Sequence, residues 1–254
     1  MSTVNGGWRG PNIVKDGLVL YLDPGSPNSY FNKSSTIIKD ISGNGNNGTL
    51  INFGSQTIYN SSNGGSIVFD GSNDYVNNGN GSIFSFGNGV TDSPFSVSTW
   101  VLFTSVGGST FKGIVSKDNG TQREWALLEN GSGKIRVFLK NTLNNPNVNQ
   151  QSIDSTTTYL TNTWYNIVFT YDGRGGSNAA DGMYLYTNGM VEVPTNVTKG
   201  TYIAMSSTIA NLNIGRYSTN YFSGRISNTK IYNKAISAQE VLQNYNALKG
   251  RYGL

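Results

Sequence analysis

The chain has 254 residues, 18 basic and 14 acidic side chains, a net charge of +4, 32 glycines, and neither cysteine nor histidine. The missing cysteine excludes disulfides and thiolate metal sites, and the missing histidine removes the usual general base and the commonest metal ligand. Scattered lysine and arginine, with no basic run interleaved with aromatics, give no footprint for nucleic acid.

Charged residues make up only 13% of the chain, and glycine, asparagine, serine, threonine, tyrosine and phenylalanine take their place, a composition suited to many short strands joined by tight turns. Residues 1–16, glycine- and asparagine-rich with Pro11, read as an N-terminal arm, and Trp8 within it is a candidate partner-binding residue or an anchor against its own domain. The segment Met1 to Trp8 lacks the charged and apolar regions of a signal peptide, so the expectation is a chain made in a cytoplasm without export. Leu18–Leu22 is long enough for a strand and far too short to span a bilayer, so no membrane insertion is expected.

Leu18-Val19-Leu20-Tyr21-Leu22 predicts a strand buried on both faces. Ser42 to Gly48 is turn-rich and precedes a short strand at Thr49-Leu50-Ile51. Ser66 to Phe69 predicts a strand, a turn beginning at Asp70, and a second strand ending at Val76. Phe95-Ser96-Val97-Ser98-Thr99-Trp100-Val101 alternates with period two, which buries Phe95, Val97 and Val101 and turns Trp100 to the opposite face. Asn130-Gly131-Ser132-Gly133 connects Trp125–Leu128 to Ile135–Leu139 as a hairpin, and Asn188-Gly189 does the same for Met183–Thr187 and Met190–Val193. Trp164–Tyr171, Leu212–Gly215 and Phe222–Tyr232 complete the strands, while 141–163 and 172–182 read as long surface loops. Ser237-Ala238-Gln239-Glu240 is a capping box that opens a helix with an apolar stripe of Val241, Leu242, Tyr245 and Leu248, and Gly250 is placed to end it.

Six segments in this order resemble the laminin-G-like, concanavalin A-like lectin/glucanase family. They are Gly17–Asp23, Asp40–Leu50, Ile67–Val76, Phe95–Val101, Thr163–Gly173, and Phe222–Ile226 with Ile231–Ser237. The resemblance implies an all-β fold of two antiparallel sheets in a jelly-roll sandwich with a short C-terminal helix. It divides the chain into an arm (1–16), the jelly roll (17–236) and a C-terminal helix and tail (237–254). The ending Gln239 to Tyr252 is similar to a version found in structural proteins of tailed bacteriophages. That implies a virion component, such as a decoration protein, head fibre or tail fibre, attached to other virion proteins through the arm and open to homo-oligomerisation.

Such folds host lectins, hydrolases and structural modules, so the residues must decide. Glycoside hydrolysis needs two facing carboxylates, yet Glu124, Glu129, Glu192 and Glu240 have no acidic neighbour at strand spacing, so no enzyme is expected. The family resemblance implies calcium around the turn that carries Asp70 and Asp74; the alternative is that both carboxylates cap that turn. For sugar, the loop Tyr217-Ser218-Thr219-Asn220-Tyr221 is the first candidate, with Tyr217, Asn220 and Tyr221 as ligand contacts and Tyr202 and Trp125 as outer candidates. The expected function is a virion surface protein that adheres to host glycans. The alternatives are decoration with no glycan ligand and cleavage of a polysaccharide.

Overall fold

In the computed structural model, residues 12–54, 58–141 and 149–254 are described. The first strands are β1 (Leu18–Leu22), β2 (Ile37–Ile38), β3 (Gly48–Ile51), β4 (Tyr59–Asn60), β5 (Ser66–Asp70), β6 (Tyr75–Asn77) and β7 (Phe95–Phe103). They are followed by β8 (Lys112–Asp118), β9 (Arg123–Glu129), β10 (Ile135–Lys140), β11 (Gln150–Asp154), β12 (Trp164–Tyr171), β13 (Met183–Thr187) and β14 (Met190–Val191). The last are β15 (Thr195–Lys199), β16 (Leu212–Ile214), β17 (Arg216–Tyr217), β18 (Asn220–Tyr221) and β19 (Ser223–Tyr232), before the single α-helix among the described residues, α1 (Ala238–Leu248).

The strands form two antiparallel sheets. One runs β14-β13-β12-β7-β19-β5-β4 with β1 also on β19, the other β15-β11-β10-β9-β8-β16-β6-β3-β2, and β17-β18 stands apart as a two-stranded hairpin. The period-two alternation of β7 sends Phe95, Val97, Val101 and Phe103 into the space between the sheets, where they meet Trp125, Phe169 and Ile231 in the main core. Phe86 and Phe95 stack there at 4.3 Å, and Phe95 meets the edge of Phe169 at 5.3 Å. The turn at Asp70 carries the chain from β5 in one sheet to β6 in the other, so these two strands are not a hairpin.

The opposite face of β7 carries Trp100 and Leu102, which join Trp164 and Tyr252 in a second cluster on the outside of the eight-stranded sheet. Helix α1 lies over this face. Its capping box is formed, with Glu240 N–H donating to Ser237 Oγ and Ser237 N–H donating to Glu240. Val241 is buried, whereas Leu242, expected on the same stripe, is exposed. Gly250 does not end the chain's helical path: the backbone continues through a 3-10 turn at Lys249–Tyr252 and stops at Gly253, which supplies the left-handed φ of 77°. Tyr252 needs this extra turn to reach Trp100.

Of the segment read as an arm, residues 12–16 are described and lie against the domain. Val14 N–H donates to Asn244 on α1, Tyr232 donates to the Val14 carbonyl, and Gln243 donates to Asn12. The long loop expected over 141–163 contains β11, paired with β10 over its whole length. Its polar sequence hid it, because only Ile153 joins the main core. No helix among the described residues is long and apolar enough to cross a membrane.

Candidate functional site

Strand β10 divides its side chains between two faces. Ile135, Val137 and Leu139 are fully buried in the core, so Arg136, Phe138 and Lys140 share the outer face of the nine-stranded sheet. Phe138 stands opposite Ala126 on β9 and Ser152 on β11, whose small side chains leave room for a covering element. Arg136 stands opposite Asp154 and grips both its oxygens, at 2.6 and 2.8 Å. Lys140 stands opposite Gln150 and holds its ammonium 4.4 Å from the Phe138 ring centre.

The covering element is the β17-β18 hairpin. Its backbone lies directly on β8: a Cβ at Gly113 would come within 2.2 Å of the Arg216 carbonyl carbon and the Tyr217 nitrogen, so only glycine admits it. Tyr217 points down from the hairpin and meets Phe138 edge-on at 5.3 Å and Phe111 at 5.9 Å. At the tip, Ser218 holds a φ of 53°, a left-handed conformation that costs a non-glycine residue about 1–2 kcal/mol. Arg216 and Tyr221 face the other way, with the guanidinium over Tyr75 at 4.8 Å and over Tyr221 at 5.8 Å.

Two clefts flank this hairpin. The first, of ≈ 350 Å³, is walled by Arg123, Arg136, Lys140 and Gln150 with Phe111, Phe138 and Tyr217 beneath. The second, of ≈ 380 Å³, lies between Asp70, Lys112, Tyr221 and Ser223. Phe111 and Asn220 line both, which makes them the waist of one divided groove. A larger hollow of ≈ 500 Å³ beside Ser206–Ile209 has neither a charged nor an aromatic side chain in its wall, so it offers a ring nothing to stack on.

The first cleft is electropositive. Asp118 is buried beneath it, and burial pushes its carboxyl up to about 6 against the Gly120 N–H and the charges of Arg123 and Lys140. Arg123 lies 3.8 Å from Asp118 and, among the described residues, hydrogen-bonds to protein only through Nε, to the Gly120 carbonyl. Lys140 is 4% exposed, yet no carboxylate among the described residues pairs with it. Burial, reinforced by Arg123, brings its ammonium down to about 8, and Asp118 pulls the other way.

The residues singled out from sequence fall into different places. Asn220 and Tyr221 are half-buried and line the groove. Tyr217 is not an exposed platform: it is 4% exposed and forms the floor, and burial pushes its hydroxyl up to about 12. Trp125 and Tyr202 are core residues, donating to the Phe84 carbonyl and to Asp92 respectively. Trp8 lies outside the described residues.

The two carboxylates expected at a calcium site serve the turn itself. Asp74 is buried and accepts the Asp70 N–H at 3.0 Å, while Asp70 accepts the Ser72 N–H at 2.7 Å. No group of three or more acidic, histidine or cysteine side chains able to hold a metal occurs among the described residues. The turn's own hydrogen bonds thus account for both carboxylates; calcium, which takes roughly six to eight oxygens, would need backbone carbonyls and water besides them.

Each glutamate likewise has a structural partner. Glu124 is buried against Lys117 at 3.4 Å and accepts from Thr208, and Glu129 accepts from Gly133. Glu192 accepts the N–H groups of Thr156 and Thr157, and Glu240 caps α1. The sequence reading missed Phe111, Arg123, Arg136 and Lys140. The signal for Arg136 and Lys140 was the alternation Arg136-Phe138-Lys140 on one side of an otherwise apolar strand; Phe111 and Arg123 lie outside that strand.

Residues 70–242 match the Laminin_G_3 family model, described as the concanavalin A-like lectin/glucanases superfamily. The chain belongs to this family. A comparison with curated proteins finds no match. Among solved structures, this member of the family is similar to the binding domain of Paraclostridial mosquitocidal protein 1, with a TM-score of 0.63 and 18% identity over 92% of this chain and 52% of that one. It is also similar to the binding domain of botulinum neurotoxin serotype G, with a TM-score of 0.61 and 19% identity over 90% of this chain and 50% of that one. The chain thus spans about half the length of these toxin binding domains. A third similar structure is domain 4 of the extracellular GH43 arabinanase AbnA from Geobacillus stearothermophilus, in complex with arabinotriose. There the TM-score is 0.58 and the identity 18%, over 90% of this chain and 98% of that one. At these identities the likeness is one of fold.

Proposed function

We propose that this chain is a non-catalytic glycan-binding module displayed on the surface of a tailed-bacteriophage particle. The observation that carries the binding reading is the divided groove. It sets the half-buried rings of Phe111 and Tyr221 beside the Asn220 amide and the polar heads of Arg123 and Gln150. Pyranose and furanose rings present C–H faces to aromatic rings and hydroxyls to amides and guanidinium groups. Cleft volumes of ≈ 350 and ≈ 380 Å³ lie within the range of small-ligand sites. The arabinanase domain, of matching length and holding arabinotriose, supports the same reading. Catalysis is disfavoured because the wall of the first cleft carries no carboxylate, and the acids nearest it, Asp118 and Asp154, are fully buried.

A glycan array followed by titration tests this. Phe111→Ala and Asn220→Ala should each weaken binding about tenfold, the effect of one lost stacking or hydrogen-bonding contact at a buried site. Failure of the folded chain to bind any glycan overturns the binding reading, and release of new reducing ends from a bound polysaccharide overturns the non-catalytic one. The particle setting rests on the likeness of Gln239–Tyr252 to phage structural proteins, with Trp8 and the rest of residues 1–11 as the attachment to other virion proteins. Deleting residues 1–11 leaves the contacts of Val14 in place and should abolish incorporation into particles; normal incorporation sinks that attachment.

A further inference from the structure

We propose that the first cleft takes an acidic saccharide, a glycan whose carboxylate or sulfate group sits between Lys140 and Arg123. The inference rests on the glycan-binding reading and names the ligand class of that site. Three cationic side chains wall the cleft, but they are not equivalent. Arg136 is already neutralised by its two-pronged pair with Asp154. Arg123 has its terminal guanidinium nitrogens without protein hydrogen bonds among the described residues, and Asp118 is at 3.8 Å.

Lys140 decides the matter. A lysine 4% exposed is ordinarily paired, because an isolated buried ammonium is strongly disfavoured. All 14 acidic residues of the chain are among those described, and none of them forms an ion pair with Lys140. Among the described residues the ring of Phe138 lies 4.4 Å from its ammonium, and Asp118, shared with Arg123, attracts it without forming an ion pair. An anionic group entering the cleft supplies a direct ion-pair partner in a partly desolvated place, where charge-assisted hydrogen bonds are strongest. Gln150, Ser218 and Asn220 stand around it as neutral donors and acceptors for sugar hydroxyls. A neutral glycan would leave Lys140 with only the pull of Asp118, which Arg123 shares, and that is the physical basis of discrimination.

The test uses the full chain and three oligosaccharides of one backbone: an oligogalacturonate, its carboxyl-reduced neutral form, and the sulfated derivative of that neutral form. At least one acidic form should bind about tenfold or more tightly than the neutral form, as loss of one charge-assisted contact predicts. Its affinity should fall as salt is raised. Whichever acidic form binds identifies the anion. Lys140→Met, which replaces a buried ammonium with an apolar chain of similar length, should melt no lower than the wild-type chain and erase the preference; Arg123→Gln should reduce it independently. Equal binding of acidic and neutral forms overturns this inference and leaves the glycan reading standing. A preference that survives both substitutions overturns the assignment to this cleft. Absence of binding to these three and to every glycan on the array overturns the glycan reading itself.

Discussion

Trp100 and Tyr252 stack with ring centres 3.9 Å apart and planes 11° from parallel, which joins the eight-stranded sheet to the C-terminal turn. Trp164 closes on the same tyrosine at 4.9 Å, and the Tyr252 hydroxyl donates to Ser227 at 2.9 Å. Next to it, Arg251 holds both oxygens of Asp23 at 2.9 and 2.8 Å. The tail is therefore part of the folding unit. Tyr252→Ala should destabilise the chain by about 3–5 kcal/mol, as removal of a buried aromatic ring does. Tyr252→Phe should cost about 1 kcal/mol through the lost hydrogen bond. Urea unfolding followed by tryptophan fluorescence reads both, and a wild-type midpoint for Tyr252→Ala would separate the tail from the cooperative unit.

Lys230 gives the fold an alkaline dependence. It is fully buried on β19, and burial brings its ammonium down to about 7, with Asp23 opposing and Arg251 adding to the shift. Between about pH 7 and the ordinary lysine value of about 10.4, the unfolded chain holds this proton and the folded chain releases it. Stability therefore rises with pH across that window, by at most about 1.4 kcal/mol per pH unit from this group. Lys230→Met should flatten the rise. Melting temperatures of the two proteins that run parallel from neutral to alkaline pH would contradict it.

The same logic applied to Asp118 and Lys140 predicts how the cleft responds to acid. As pH falls through about 8, Lys140 becomes fully charged, and as it falls through about 6, Asp118 loses its negative charge. Arg123 and Arg136 stay charged throughout. Affinity for a sulfated oligosaccharide should thus strengthen in two steps on acidification. Asp118→Asn should raise neutral-pH affinity a few-fold and remove the lower step, and Lys140→Met should remove the upper one. A flat titration of affinity against pH would show that neither group faces the ligand.

At the turn after β5, Asp74→Ala removes the acceptor of the Asp70 N–H and should destabilise by about 1–3 kcal/mol. Melting temperatures in calcium and in chelator should coincide for the wild-type chain. A calcium-dependent rise that Asp74→Asn abolishes would instead place a metal at this turn.

Much of the sandwich was legible because its strands follow a simple alternation. Phe95, Val97 and Val101 pointed inward and Trp100 outward as their spacing required, and Asn188-Gly189 made its hairpin with φ values of 52° and 81°. The capping box at Ser237 was equally local. What escaped was set by partners far along the chain. Strand β11 is polar because its outer side chains, Ser152 and Asp154, answer Phe138 and Arg136 across the sheet. Tyr217 belongs to a loop that looks exposed until the glycine at 113 lets the hairpin settle on β8. Arg123 and Lys140 are separated by a turn and a strand, and they share a cleft only through the register of β9 and β10.

The contacts of residues 12–14 with α1 and β19, and of α1 and its following turn with Trp100, lie on the outer side of the eight-stranded sheet. The first cleft lies on the outer side of the other sheet, with the whole core between them. The molecule is accordingly two-sided. A neighbour gripping either end segment would hold it from behind and leave the opposite side facing outward. The reach and orientation of such a display would then depend on the mount rather than on any rearrangement of the groove.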